Sequence, residues 1–355
     1  MKAWRFSEFG GIDRLHLETA NIRDPGPGEV KISVAYAAIN HVDRLVIGGR
    51  LKWVPLPRIP GAEYVGTVVQ RGEGVEDCSV GDRVAVFPKM FCGRCRFCTT
   101  GQESVCLEAW NPERAPVDLS TNMLPSSMDG GWAEEAIAPA RNLVPLPDSI
   151  GFREAACLPL SAMTAHHIVK RVSPVAGSTA LVMGATGGVG AFAVQLLKLA
   201  GCTVIAVVNN KSQEQAIRDM GADHVIPRTT SPVKEEAIRM SGGYGVDIVV
   251  DSLGQTTFAS SVGSLAPCGK YVTAGTLTGP VSELSLMLVY SRQLQIIGST
   301  TGSKKDLRAV IELAASGKIR AVISSTFDFD RLPDAVENYM LQGRMGKVLV
   351  RIGEP

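Results

Sequence analysis

The sequence has almost no net charge of either sign: across 355 residues, 36 Lys and Arg face 35 Asp and Glu, a formal charge of +1. With no electrostatic imbalance to advertise a polyanionic partner or an acidic membrane surface, nucleic acid is not an expected ligand. The sequence also lacks any apolar run near the ~20 residues a membrane helix needs. Its start, Met1 to Gly11, reads as a short amphiphilic strand rather than a charged segment followed by an apolar one. A cytoplasmic protein without a membrane partner is the expectation. Histidine is scarce, at five residues, so little material exists for histidine-based metal sites. Internal repeats and low-complexity tracts are missing as well. Cysteine is present, eight in all, but Cys78, Cys157, Cys202 and Cys268 lie singly in apolar or turn segments and read as reduced thiols, not a disulfide framework.

The length points to about two domains. The first 110 residues or so carry short alternating runs, such as Glu29 to Ala35 and Val65 to Gln70, cut by Asp24-Pro25-Gly26-Pro27-Gly28 and Val80-Gly81-Asp82 turns, which predict an all-β, barrel-like domain. From about 153 the texture changes. A helical stretch to Arg171 leads to a strand at Thr179 to Met183, a helix at Val189 to Ala200, a strand at Thr203 to Val208, a helix at Ser212 to Met220 and a strand at Ile248 to Asp251. Strands alternating with helices mean crossover units and a parallel sheet, so the fold class is α/β: a β-barrel domain plus a doubly wound Rossmann-type domain. After Gly302 a helix (Asp306 to Ser316), a strand around Phe327, another helix and a strand at Lys347 to Arg351 close a tail too short to fold alone.

The strand Thr179 to Met183 runs into Gly184-Ala185-Thr186-Gly187-Gly188-Val189-Gly190 and then a helix. In that frame Gly187 lets the backbone approach a pyrophosphate, Gly190 allows helix and strand to pack closely, and the free N–H groups of the helix start face the phosphates. Ala185 stands where the fingerprint has its first glycine. The bland alternative is a glycine-rich turn with no ligand. About 20 residues further on, a carboxylate would hydrogen-bond the adenosine ribose and repel a 2′-phosphate; here the sequence reads Asn209-Asn210-Lys211, with no acid before Glu214. NADP(H) is therefore favoured over NAD(H), unless Asn209 and Lys211 merely cap the next helix.

Cys92, Cys95, Cys98 and Cys106 have the spacing CxxCxxCx7C, which lets one short lobe (91–107) wrap four thiolates around a zinc ion. Four sulfurs leave no open coordination position, so such a site stabilises and does not catalyse.

Taken together, the ordered landmarks Pro25 to Gly28, Ile59-Pro60-Gly61 with Glu63, Val80 to Val84, the cysteine lobe, Gly130 to Glu134, Gly184 to Gly190, Asp251 to Gly254 and Gly346-Lys347-Val348 resemble the medium-chain dehydrogenase/reductase superfamily, which includes the zinc-type alcohol dehydrogenases and the quinone reductases. The resemblance implies a GroES-like catalytic domain from 1–160 and 304–355, a Rossmann domain from 161–303, and a cleft between them. It also implies cofactor contacts at Thr164, Ser252, Gly275, Ser299 and Thr300, and homodimers or homotetramers built through the sheet edge near Gln293 to Thr300. The catalytic zinc does not carry over. Its ligands would fall at Asn40, Ala62 and Leu160, none a usual zinc ligand, and the relay hydroxyl at Val42. Asn40-His41-Val42-Asp43 instead resembles the quinone-reductase branch.

The catalytic candidates are then Asn40, as hydrogen-bond donor to the substrate oxygen, His41, as pyrophosphate contact or as acid, and Asp43 and Glu63, which with His41 offer a non-standard second metal site. Trp53, Trp110 and Met163 line the cleft or belong to the core, and His166 and His167 read as structural. The leading function is NADPH-dependent reduction of quinones, enones or small carbonyls by metal-free hydride transfer, with a small molecule as partner. Two alternatives stay open: a zinc-type alcohol or aldehyde dehydrogenase with a rearranged site, and a non-catalytic NADPH-sensing binding protein.

Overall fold

The computed structural model describes residues 1–109, 122–341 and 343–353; Trp110 lies outside them. At the start of the chain β1 (Lys2–Arg5), with Ala3 and Trp4 buried, and the exposed β2 (His16–Thr19) form an antiparallel pair. The first main sheet contains β3 (Glu29–Ala38), β4 (Glu63–Arg71), β5 (Arg83–Val86), β6 (Glu135–Pro139) and β7 (Leu143–Pro145). β3 is long because every second residue from Val30 to Val34 enters the core while Lys31 and Ser33 face outward. It pairs with β4 along one edge and with β6 along the other.

The second sheet holds β8 (Thr179–Val182), β9 (Thr203–Val208), β10 (His224–Pro227), β11 (Val246–Val250), β12 (Leu265–Thr273) and β13 (Gln295–Gly298). All its pairings are parallel, in the order β10-β9-β8-β11-β12-β13. The apolar runs split by parity: Ala180, Val182, Val204 and Ala206 pack into one core, Leu181, Ile205, Val207 and Ile226 into the other. Both faces are covered, which is why these strands read as unbroken apolar runs. The chain winds outward from β8 to β10, returns to β11 beside β8 and winds the other way, so the order reverses between β8 and β11. That reversal opens a crevice at the carboxyl ends of the strands, where such sheets bind ligands.

The tail rejoins the first sheet. β14 (Ile323–Asp328) lies parallel to β15 (Lys347–Arg351), and β15 pairs antiparallel with β3. The chain thus crosses between the two sheets twice, near 160 and near 303. The first crossing is a π-helical turn, Leu158–Ala162, running into the helix Met163–Val172; the second opens the helix Lys304–Ala315. Asp306, buried in that second helix, accepts hydrogen bonds from His166 (2.8 Å), His167 (3.0 Å) and Ser303. Burial alone would raise its pKa, but these hydrogen bonds outweigh it and hold the carboxyl well below the usual range. Both histidines are structural, tying one crossing segment to the other. Met163 is fully buried and packs under Gly302, so it is core and not cleft lining, while half-buried Trp53 packs against the core of the first sheet.

Candidate active site

β8 ends in a loop that requires glycine at two places for different reasons. Gly184 turns the chain with φ +62°, a left-handed conformation cheap only for glycine. A Cβ on Gly190 would lie 2.3 Å from the Gly184 carbonyl oxygen and 2.8 Å from Ala185 Cα, so the helix Gly188–Leu199 can approach the strand only with glycine there. Ala185 has no positive φ, which explains why alanine is tolerated in the fingerprint's first position. The first intrahelical bond is Ala191 N–H to Gly187 O at 3.0 Å, leaving the amides of Gly188, Val189 and Gly190 without an intrahelical acceptor at the positive end of the helix dipole.

Other expected cofactor contacts fall on the same rim. Asn209 follows β9, Ser252 follows β11, Gly275 follows β12, and Ser299 and Thr300 follow β13. Thr164, on the helix Met163–Val172, is buried. Ser299 Oγ and Thr301 Oγ1 are buried with no hydrogen-bond partner among the described residues. Buried hydroxyls without partners call for an external donor or acceptor, so a dinucleotide lying along this rim fits the residues present. Thr301 has φ +45°, strain of the kind stored at ligand sites.

At the adenosine end the helix cap is neither Asn209 nor Lys211. Asn210 Oδ1 caps by accepting from Ser212 N–H at 3.2 Å. Gln213, buried, receives the backbone N–H groups of Asn209 and Asn210 and donates to Gly343 O at 2.9 Å, fixing the turn against the tail.

Where a catalytic zinc would sit, the chain has built an ion pair. Glu63 is fully buried, and its two oxygens accept from Leu160 N–H (2.7 Å), Ser161 N–H (3.2 Å), Asn40 Nδ2 (2.9 Å) and Lys347 Nζ (2.8 Å). Lys347 Nζ also donates to Asn40 Oδ1 (2.6 Å) and Ile39 O (3.2 Å). Three hydrogens meet three acceptors, so the buried charge is fully compensated.

This geometry corrects three expectations. Asn40 spends one amide hydrogen on Glu63 and the other on Ala38 O (3.0 Å), so none remains for a substrate oxygen. Asp43 is fully buried and accepts from the N–H groups of Asn40 (2.9 Å), Gly61 (3.2 Å) and Ala62 (2.8 Å), closing a capping box on the helix His41–Ile47. Burial pushes its carboxyl up to about 7 against the pull of those amides and of Lys347. Asp43 and Glu63 therefore hold backbone and ammonium in place of any metal, and the second metal site does not fit this donor set. Asn40, Asp43 and Glu63 are positioning residues.

His41 is different. Its ring is half-buried, with Nδ1 unpartnered among the described residues, and burial, followed by the charge of Arg44, lowers its pKa, so the free protein holds it neutral at pH 7. It keeps the hydrogen-bonding capacity that Asn40 has spent. Lys347 was not singled out from sequence as a functional residue, although Gly346-Lys347-Val348 stood among the landmarks. A Cβ on Gly188 would lie 2.8 Å from Lys347 Cδ, and Gly346 N–H donates to Thr186 O at 2.8 Å. The start of β15 thus touches the glycine loop and the emptied metal site at once.

The four lobe cysteines converge. Their ligand atoms all lie within 4.8 Å of one another, with Sγ separations of 3.6 Å (Cys95–Cys98) and 3.9 Å (Cys92–Cys98 and Cys95–Cys106). A zinc bonded at about 2.3 Å to four tetrahedral sulfurs requires them about 3.8 Å apart. Backbone N–H groups of Arg94 and Cys95 point at Cys92 Sγ, and that of Cys92 at Cys106 Sγ, which favours thiolates. The Cys98 backbone amide is the main influence drawing the Cys95 thiol down to about 6. This is a closed tetrathiolate site for one zinc.

The two sheets, the switch-point crevice and the glycine loop define a two-lobed, dinucleotide-dependent oxidoreductase. Comparison with known proteins agrees. Residues 26–148 match the family model of the alcohol dehydrogenase GroES-like domain, and residues 188–316 that of the zinc-binding dehydrogenases. The chain is 30% identical to an NAD-dependent alcohol dehydrogenase of Sulfolobus acidocaldarius, over 95% of this chain and 96% of that one. It is also 30% identical to an acryloyl-coenzyme A reductase of Metallosphaera sedula, over 94% and 96%. A cobalt- and zinc-bound thermostable alcohol dehydrogenase from Pyrobaculum aerophilum superposes with a TM-score of 0.88 at 36% identity, covering 99% of both chains. The chain belongs to the medium-chain dehydrogenase/reductase superfamily.

Proposed function

We propose that the protein is an NADPH-dependent reductase of quinones, enones or small carbonyls that works without a catalytic metal. The observation that carries this reading is the Lys347–Glu63–Asn40 network, which fills the metal's place with groups whose hydrogens are all spent. With no Lewis acid, and Val42 in place of a relay hydroxyl, generating an alkoxide from a simple alcohol at neutral pH is costly. A conjugated acceptor is already polarised and asks less of the protein. A bound NADPH would supply the hydride. The chain's own residues fix the loop that carries it, through Gly346 and Lys347, and the His41 ring, next in the chain to Asn40 of the replaced metal site, keeps a nitrogen that no group among the described residues engages. That ring contacts the pyrophosphate or delivers a proton to the reduced product. The named acryloyl-coenzyme A reductases, which act on a conjugated thioester, support this choice of acceptor.

The same family resemblance and the sheet edge support self-association. Among the described residues β13 has one unpaired edge with Gln295 and Ile296 exposed, and Leu286, Met287 and Tyr290 on the preceding helix are also exposed. A homodimer or homotetramer through that edge is part of the proposal. Among the described residues no helix is long and apolar enough to cross a membrane.

A second reading, an alcohol dehydrogenase with a rearranged zinc, draws on the names of the NAD-dependent relatives. One panel separates the two: NADPH absorbance is followed with enones, quinones and aldehydes, and NAD(P)+ reduction with simple alcohols, each with and without a chelator. The expected result is chelator-resistant NADPH oxidation by at least one conjugated acceptor. Chelator-sensitive alcohol oxidation faster than every reduction overturns the proposal. NADPH binding without turnover of any acceptor would leave the sensing reading.

A further inference from the structure

The segment Asn209-Asn210-Lys211, open to a 2′-phosphate because it lacks an acid, supplies one cation in Lys211. The structure brings a second cation to the same corner from outside that segment. β10 pairs with β9 so that Pro227 lies beside Val208, and the next residue, Arg228, donates its backbone N–H to Val208 O at 3.0 Å. Its side chain then turns back over the end of β9, and Nε donates to Asn209 Oδ1 at 2.7 Å. Thr229 N–H to Asn209 O (3.3 Å) closes the turn from the backbone side.

We propose that Arg228, aimed by the Asn209 amide oxygen, is the residue that receives a 2′-phosphate and selects between the two dinucleotides. The proposal rests on the NADP(H) reading above and names its determinant. Three observations carry it. The acceptor that orients the guanidinium is a neutral amide, so the full positive charge stays uncompensated. Neither Arg228 nor Lys211 takes part in an ion pair among the described residues, although neighbouring cations such as Arg218 do, with Glu214 at 2.8 Å. With only Nε committed among the described residues, the two terminal amino groups keep the forked N–H geometry that binds a phosphate in two bonds, while the exposed lysine offers only a mobile point charge. An aspartate at 209 would defeat binding twice, by repelling the phosphate and by pairing with Arg228.

The test is a binding titration of purified protein with NADP+, NAD+, 2′,5′-ADP and 5′-AMP, which needs no substrate. Arg228 is exposed, so Arg228→Gln should fold normally, and circular dichroism checks that it does. The expected outcome is a wild-type preference for NADP+ and an Arg228→Gln variant whose NADP+ affinity falls about 10- to 100-fold, while that for NAD+ changes by less than about 2-fold. In that variant 2′,5′-ADP should bind no better than 5′-AMP. Arg228→Lys should fall between, and Lys211→Gln should have the smaller effect. If wild type prefers NADP+ but Arg228→Gln leaves the NADP+ to NAD+ ratio unchanged, the inference fails while the cofactor reading stands. Tighter binding of NAD+ by the wild-type protein overturns both.

Discussion

Two places in the first lobe hold, in this family, the means of gripping a zinc ion, and they have diverged in opposite directions. At the cysteine lobe four soft ligands within one short stretch of chain keep the spacing a tetrahedral ion requires. At the cleft, ligand positions drawn from three distant segments have become Asn40, Ala62 and Leu160, and a buried Lys347–Glu63 pair joins those segments. A lobe made of loops has no core of its own, so losing its metal means losing its fold. The cleft is framed by β3, β4 and β15, so a well-compensated ion pair can replace the metal as a structural tie, leaving behind a site with no Lewis acid.

The comparison can be broken at either end. The largest effect is expected at the lobe: Cys95→Ser together with Cys98→Ser should abolish zinc binding and markedly lower Tm in a calorimetric scan, since about 10 kcal/mol or more of metal binding energy is coupled to folding there. Zinc retained by that variant would place the metal elsewhere. At the cleft, Lys347→Met strands the Glu63 carboxylate and should cost about 3–5 kcal/mol in denaturant unfolding, with no change in metal content. Adding Glu63→Gln should recover part of that loss, which makes the pair a measurable coupling.

A smaller effect sharpens the account of the crossings. The Asp306 carboxyl is held below its ordinary pKa, so its contribution is fully present above the unfolded value and lost as pH falls through the folded one. Asp306→Asn should therefore destabilise by about 2–3 kcal/mol at neutral pH, and its difference from wild type should narrow as pH drops below about 4. A pH-independent difference would assign the loss to packing. The smallest effect concerns His41. A neutral ring facing a pyrophosphate gains a proton on binding, because the phosphate favours the imidazolium. Cofactor affinity should then rise by a factor of a few as pH falls from about 8 to 6, and His41→Gln should flatten that slope. If the slope persists in the variant, His41 does not contact the phosphate.

What the sequence made legible is local. The glycine loop and the four cysteines announce themselves because each function is packed into one continuous segment whose spacing is its geometry. The emptied metal site was legible as an absence, from Asn40, Ala62 and Leu160. Its replacement was not, because Lys347 and Asn40 meet across 307 positions and no periodicity links them. The same distance hid the task of Asn40: an amide beside a cleft reads as a donor to substrate until its two hydrogens are seen to be committed. Arg228 was missed for a similar reason, since only the pairing of β10 with β9 brings it over Asn209. The strands β10 and β12 carry weaker patterns than β8 and β9, because Pro227 and the exposed Pro267 and Cys268 interrupt their apolar runs.

The central claim is that one zinc site is kept and the other is replaced by an ion pair, and metal analysis of the purified wild-type protein tests it most directly. One tightly held zinc per chain is expected, with none gained on dialysis against excess zinc. A stoichiometry near two would contradict it.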